Sequence, residues 1–196
     1  MRLMASAPER IALPDLATLL PPEARKLVAV LSADGIGFSR IMETSEDVGR
    51  TLLADGRAVF DRILPAHGGR LFGVFGDSIM AEFPTAGAAL RAALEIQDGI
   101  ARVNAAWPKS TRQDWRIGID LSELSATDGD LIGDAVNVAA RRQALAGPGG
   151  IAVSAAVRDI VRGRVAVILE DHGVHWVKNR ANPIHVWRVR RGRRRS

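Results

Sequence analysis

Arg70-Leu-Phe-Gly-Val-Phe-Gly-Asp-Ser-Ile-Met-Ala-Glu-Phe83 decides the fold. Two short apolar-rich runs, Arg70–Phe75 and Ser78–Phe83, flank Gly76-Asp77, the two-residue spacing of a tight hairpin. Upstream, Leu27-Val-Ala-Val-Leu-Ser-Ala33 is a continuous apolar run, which predicts a strand buried on both faces. Thr44-Ser-Glu-Asp47 is a capping-box-like start to a helix. Val48, Leu52, Val59, Phe60 and Ile63 form its apolar stripe, and Pro65 with Gly68-Gly69 closes it. Downstream, Thr85 caps a second helix lined by Ala89, Ala93, Ile96, Ile100 and Val103, and Trp115–Leu121 alternates as a strand. The order β-α-β-β-α-β predicts an α+β fold with a ferredoxin-like core: an antiparallel sheet with both helices on one face.

Further elements follow this core. Asp134–Ala146 reads as a helix stopped by Gly147-Pro-Gly-Gly150, and Ile151–Val153 as a short strand. Ser154 caps a helix to Val161, and strands are expected near Val165–Glu170 and Ile184–Val189. Residues 1–26 hold Pro8, Pro14, Pro21 and Pro22 without sustained periodicity, and read as an extension with one short helix around Asp15–Leu20. No repeat or composition break follows residue 27, so 27–189 is read as one domain.

Composition narrows the function. The 196 residues are 47% apolar and 25% charged, which suits a soluble domain with a buriable core. The absence of cysteine excludes a disulfide scaffold, a thiolate zinc site and a cysteine nucleophile. No apolar run approaches the roughly 18 residues of a membrane span, and no signal-peptide layout opens the chain, so the expected compartment is the cytoplasm. The net charge of +5 suggests nucleic acid until its position is read. Residues 188–196, RVRRGRRRS, hold six arginines, and 21 basic residues then face 22 acidic ones in the rest. The basic signal is a tail at 190–196, read as a solvated end in preference to a nucleic-acid or anionic-membrane contact.

Chemistry collects at three places. Asp34 ends the first strand in Ala33-Asp-Gly-Ile-Gly-Phe-Ser39, and Asp77 sits at the hairpin tip. Those strands are neighbours in a ferredoxin-like sheet, so the two carboxylates can converge. Two carboxylates beside a glycine-containing turn suit Mg²⁺ with phosphate, and the turn's N–H groups suit phosphate oxygens. Asn137 and Arg141 share one helix face in Asp130-Leu-Ile-Gly-Asp-Ala-Val-Asn-Val-Ala-Ala-Arg141, as a pair able to orient a sugar and stabilise phosphoryl charge. Lys178 is one of three lysines among 24 arginines and a third candidate phosphate contact. Each feature alone is common: aspartates favour turns, an i, i+4 polar pair is often a solvated face, and a lysine is usually on the surface. His67, His172, His175 and His185 form no metal spacing, and no Walker-type loop or Gly-x-Ser-x-Gly elbow is present.

In their order, LSADGIGFSR, FGDSIMAEFPTA, DLIGDAVNVAARRQALAGPGG and WVKNRANPIHVWRV resemble the catalytic domain of class III adenylate and guanylate cyclases, from about Leu27 to Val189. The resemblance implies that Asp34 and Asp77, with the Gly35 carbonyl, hold two Mg²⁺ or Mn²⁺ ions per active site. It implies that the amides of Ile36, Gly37, Phe38 and Ser39 receive phosphate. Asn137 would orient the ribose, Arg141 would stabilise the transition state, Lys178 would bind the triphosphate and Asp130 would read the adenine amino group. The family's site forms between two subunits, so a homodimer is implied, with Asp34 and Asp77 of one meeting Asn137, Arg141, Asp130 and Lys178 of the other. The implied reaction is cyclisation of a nucleoside triphosphate, ATP first, to the 3′,5′-cyclic monophosphate and pyrophosphate.

Two departures bear on this expectation. Where adenylate cyclases usually carry a base-reading lysine and guanylate cyclases a glutamate, this chain has Gly73, which offers no hydrogen bond. Pyrimidine nucleotides are therefore an alternative substrate class. Ile119-Asp-Leu-Ser-Glu123 replaces a glycine-bearing strand end and leaves a catalytically weak regulatory module as a second alternative. A nucleic-acid-binding ferredoxin-like domain is a third, opposed by the 5% aromatic content and the absence of tyrosine.

Overall fold

The computed structural model of the chain describes residues 26–124, 134–177 and 182–192, with the side chains of 123–124 and 134–138 outside that description. The expected helix around Asp15–Leu20, Asp130, Lys178 and the tail from residue 193 lie outside the described residues. Seven strands form one sheet in the order β2-β3-β1-β4-β5-β7-β6. They are β1 (Lys26–Gly35), β2 (Arg70–Phe75), β3 (Ser78–Phe83), β4 (Trp115–Leu124), β5 (Ile151–Val153), β6 (Val167–His175) and β7 (Ile184–Arg191). Each neighbouring pair among the first four is antiparallel in the ferredoxin-like order, as expected, and β4 pairs parallel with β5.

The helices are α1 (Phe38–Thr44), α2 (Glu46–Ala66), α3 (Ala86–Ala105), α4 (Asp134–Ala144) and α5 (Ala155–Val161). Alternation along β1 sorts the two faces. Ala29, Leu31 and Ala33 join Phe60 and Ile63 of α2, Leu90 and Ile96 of α3, and Val157 of α5 in the main core. Val28 and Val30 turn the other way, toward Ala139 of α4 and Phe72 of β2. Asp34, in step with Val28 and Val30, therefore shares the α4 face of the sheet.

Side-chain caps set three helix starts. Ser45 accepts from Val48 N–H, Thr85 from Ala88 N–H at 3.1 Å, and Ser154 from Val157 N–H at 3.2 Å. The cap of α2 is thus Ser45, one residue beyond the Thr44 that opens the sequence motif. Thr44 instead ends α1, a separate helix that the sequence reading lacks because its seven residues show too little periodicity. β6 runs from Val167 to His175 and not Val165–Glu170: a register shift between Asp171 and Val174 breaks the period that a sequence reading follows.

Candidate active site

β1 and the β2–β3 hairpin bring Asp34 and Asp77 together. Gly35 N–H donates to Asp77 O at 3.3 Å, and Asp34 stands opposite Ser78 in the β1–β3 ladder. The hairpin tip turns at Gly76 with φ of 60°, a left-handed geometry natural to glycine. Arg57 of α2 donates to Gly76 O and ties the tip to the helix layer. Burial, and secondarily the Asp34 charge, push the Asp77 carboxyl above its ordinary range.

Asp34 is engaged at both oxygens. Ser78 Oγ donates to Oδ1 at 2.8 Å, and Arg116 Nη2 donates to Oδ2 at 2.6 Å. Arg116 is absent from the sequence-derived set. Its neighbour in the ladder is Asp34 itself, a pairing that only strand register creates. A cation binding Asp34 here has to share it with, or displace, this guanidinium.

The turn after Asp34 is pinned on one side. Ile36 donates its N–H to Asp114 O at 2.7 Å, so that amide is committed and is not free for phosphate. Gly37 takes φ of 76° at the N-cap of α1, and the first-turn N–H groups of Phe38 and Ser39 have no partner within the helix. The residues fit a divalent cation of one kind. Among the described residues no group of three or more His, Cys, Asp or Glu could hold a metal. Two adjacent carboxylates, one with a raised pKa, instead match Mg²⁺ or Mn²⁺ that completes its shell with substrate phosphate and water.

α4 lies across the same face. Gly118 of β4 permits its close approach: a Cβ there would fall 2.4 Å from both Ala139 O and Gln143 N. Arg142 anchors the helix, with Nε donating to Asp120 Oδ2 at 3.0 Å and Nη1 to His185 O at 2.6 Å. Arg141 Nη1 is buried without a partner among the described residues, and no described hydrogen bond or ion pair links Arg141 to Asp34 or Asp77. The backbone of Asn137 lies in α4; its side chain is outside the description. Gly73 sits beside a register shift in β2, and a Cβ on it would lie 2.8 Å from Cε2 of the exposed Phe75 ring.

The chain aligns with 98% of the crystal structure of an adenylate/guanylate cyclase/hydrolase from Silicibacter pomeroyi, at 42% identity and TM-score 0.77 over 85% of this chain. It belongs to the class III adenylate/guanylate cyclase family. A Rhizobium meliloti protein provisionally named adenylate cyclase 3 is 40% identical over 164 residues, which are 83% of this chain. The cyclase domain described here spans 28% of the length of the curated relatives it matches. The adenylyl cyclase CyaB from P. aeruginosa shares the fold at TM-score 0.78 and 22% identity, covering 89% of this chain and 98% of that one. No family model matches the chain. Among the described residues of this cyclase domain, no helix is long and apolar enough to cross a membrane.

Proposed function

We propose that the chain is a nucleotide cyclase that converts a nucleoside triphosphate, ATP first, to its 3′,5′-cyclic monophosphate and pyrophosphate in a homodimer. The Asp34–Asp77 pair carries this reading: the end of β1 and the hairpin tip bring two carboxylates to one turn, although burial first and the Asp34 charge second make Asp77 harder to ionise. The family relationship supplies the reaction class.

Asp34, Asp77 and the Gly35 carbonyl hold two Mg²⁺ or Mn²⁺ ions per site. When bound, the cations neutralise triphosphate charge and ease ionisation of the ribose hydroxyl. The first-turn amides of Phe38 and Ser39 bind phosphate oxygens, and Arg116 is a cation within reach of the same anions. From the second subunit, Asn137 orients the ribose, Arg141 stabilises charge on the α-phosphate and Lys178 binds the triphosphate. The 3′-hydroxyl gives its proton to solvent water, its oxygen bonds to the α-phosphorus, and the bond to the bridging oxygen breaks with its electron pair leaving on pyrophosphate.

Gly73 favours a second reading of specificity. Gly73 itself supplies no hydrogen bond, and Phe75 and Met80 lie nearest to it, so base selection falls on Asp130. An acceptor alone accommodates the amino group of adenine or of cytosine. Incubating the protein with each of the four ribonucleoside triphosphates and Mn²⁺, beside an Asp77→Ala control, tests both readings by product mass. Cyclic AMP as the dominant product supports the first, and cyclic CMP at comparable yield supports the second. No cyclic product above the control removes the cyclase assignment. Mixing Asp34→Ala with Arg141→Ala protein tests the shared site: exchange into mixed dimers restores activity if each site draws on two subunits.

A further inference from the structure

Gln113 presents a buried carboxamide with nothing to bond. The residue is 2% exposed, and neither Oε1 nor Nε2 has a hydrogen-bond partner among the described residues. Its backbone, by contrast, is held at both ends. Gln113 N–H donates to Asn104 Oδ1 at 3.1 Å, and Asn104 Nδ2 donates to Gln113 O at 3.0 Å. Asn104 is itself buried at the end of α3, so the point from which the Gln113 side chain departs is fixed.

That side chain ends against the turn after Asp34. A Cβ built on Gly35 would lie 2.4 Å from Gln113 Nε2 and 2.9 Å from its Cδ. Gly35 therefore has no side chain in the space where the amide rests, and the two residues are matched in size. The flanking backbone is joined to the same segment, through Ile36 N–H to Asp114 O and the Gly35–Trp115 pairing of β1 with β4. The Gln113 carboxamide thus lies against Gly35, the residue whose carbonyl the cyclase reading gives to the metal.

A buried amide without partners is costly, and folded proteins almost always pair such groups. An apolar side chain of similar volume fills the same space at lower cost. The described residues give the carboxamide no partner, yet it rests against Gly35 in a turn whose geometry would matter to a bound cation. Outer-shell amides of this kind fix the direction of a ligand that they do not replace.

We propose that Gln113 is a positioning residue for the Asp34–Gly35–Ile36 turn, bonding the turn's backbone when a divalent cation is held there and so fixing the Gly35 carbonyl. The proposal rests on the metal assignment of the cyclase reading. Gly35 is then required by Gln113, and Gln113 by the metal.

Gln113→Met and Gln113→Leu in the full chain test this with two readouts that need no turnover. One is Mn²⁺ titration followed by electron paramagnetic resonance, with Asp77→Ala defining the site; the other is thermal melting without metal. Both variants are expected to melt no lower than wild type, because an unpaired polar group is gone, and to bind Mn²⁺ at least tenfold more weakly. Mn²⁺ binding equal to wild type overturns the proposal. Metal-free melting several degrees lower in both variants also overturns it, because the amide is then already paired in the unloaded fold. A wild type that binds Mn²⁺ through Asp77 but makes no cyclic nucleotide removes the cyclase reading alone and leaves the Gln113 comparison intact.

Discussion

Arg142 of α4 and Asp120 of β4 form an ion pair in the interior, with Nε to Oδ2 at 3.0 Å and the residues 7% and 8% exposed. The pair bolts the helix bearing Asn137 and Arg141 to the strand bearing Arg116. Arg142→Met leaves the Asp120 carboxylate buried with only Leu121 N–H as a described partner. Breaking such a pair costs about 3–5 kcal/mol, which for a chain of this size lowers the melting temperature by roughly 6–20 °C. The double variant Asp120→Leu, Arg142→Met should recover most of the loss. Circular-dichroism melts of the three proteins check this, and a double variant as unstable as the single one would show that the pair itself is not what holds the helix.

Gly118→Ala attacks the same junction by volume. The added methyl meets backbone atoms of Ala139 and Gln143, which cannot rotate away as a side chain would. α4 has to shift, at a cost of about 1–3 kcal/mol, and cyclic nucleotide formation should fall with it. Gly87→Ala is the control. Its Cβ would meet only the flexible Arg91 guanidinium at 3.4 Å, inside α3, where alanine is the better helix former. That variant should melt at or above wild type and keep full activity.

Asp77 carries a pH signature. Its folded pKa lies above its ordinary value through burial first and the Asp34 charge second, with a backbone hydrogen bond, then Arg116 and Arg57, pulling the other way. The folded state therefore holds the proton more tightly than the unfolded chain does. Ionised Asp77 costs stability at neutral pH, and that cost disappears as pH falls from the raised folded pKa to the ordinary value. Asp77→Asn should raise the metal-free melting temperature at pH 7, with the gain shrinking across that acidic window, and should abolish Asp77-dependent Mn²⁺ binding. In the wild type, Mn²⁺ affinity should begin to fall at a higher pH than for an ordinary carboxylate. Melts and metal titrations across pH 4–7 read both effects.

Arg116 is paired with Asp34, and the proposed mechanism gives it a second partner in the substrate phosphates. Arg116→Gln should therefore push two measurements in opposite directions. Without nucleotide, Mn²⁺ should bind up to about fivefold more tightly, the worth of a partly exposed ion pair that no longer has to be broken. With nucleotide, KM should rise about tenfold or more through loss of a charge-assisted hydrogen bond. A KM unchanged from wild type would assign Arg116 to Asp34 alone.

Much of this was readable before folding. Periodicity, turn residues and caps place every strand of the ferredoxin-like core within a few residues, because each is written locally at period 2 or 3.6. Ser154 and Thr85 act as the caps their spacing predicts. Asp34 and Asp77, 43 positions apart, could be paired in advance because β1 and the hairpin are neighbours in that topology. α1 was not legible, since seven residues carry too little pattern, and β6 was cut short by polar residues at its bulge.

The amino-acid sequence by itself determined the order of elements, the family motifs and the identity of the two carboxylates, all of which depend on residue type and short spacing. The tertiary structure alone decided which neutral or cationic groups press on them. Arg116 reaches Asp34 through β1–β4 register, Gln113 meets Gly35 because Asn104 clamps its backbone, and Gly118 admits α4 to the sheet. These contacts join residues far apart in the chain, and their energies depend on distances of a few tenths of an ångström. No local pattern encodes such distances; they follow only when the whole core closes.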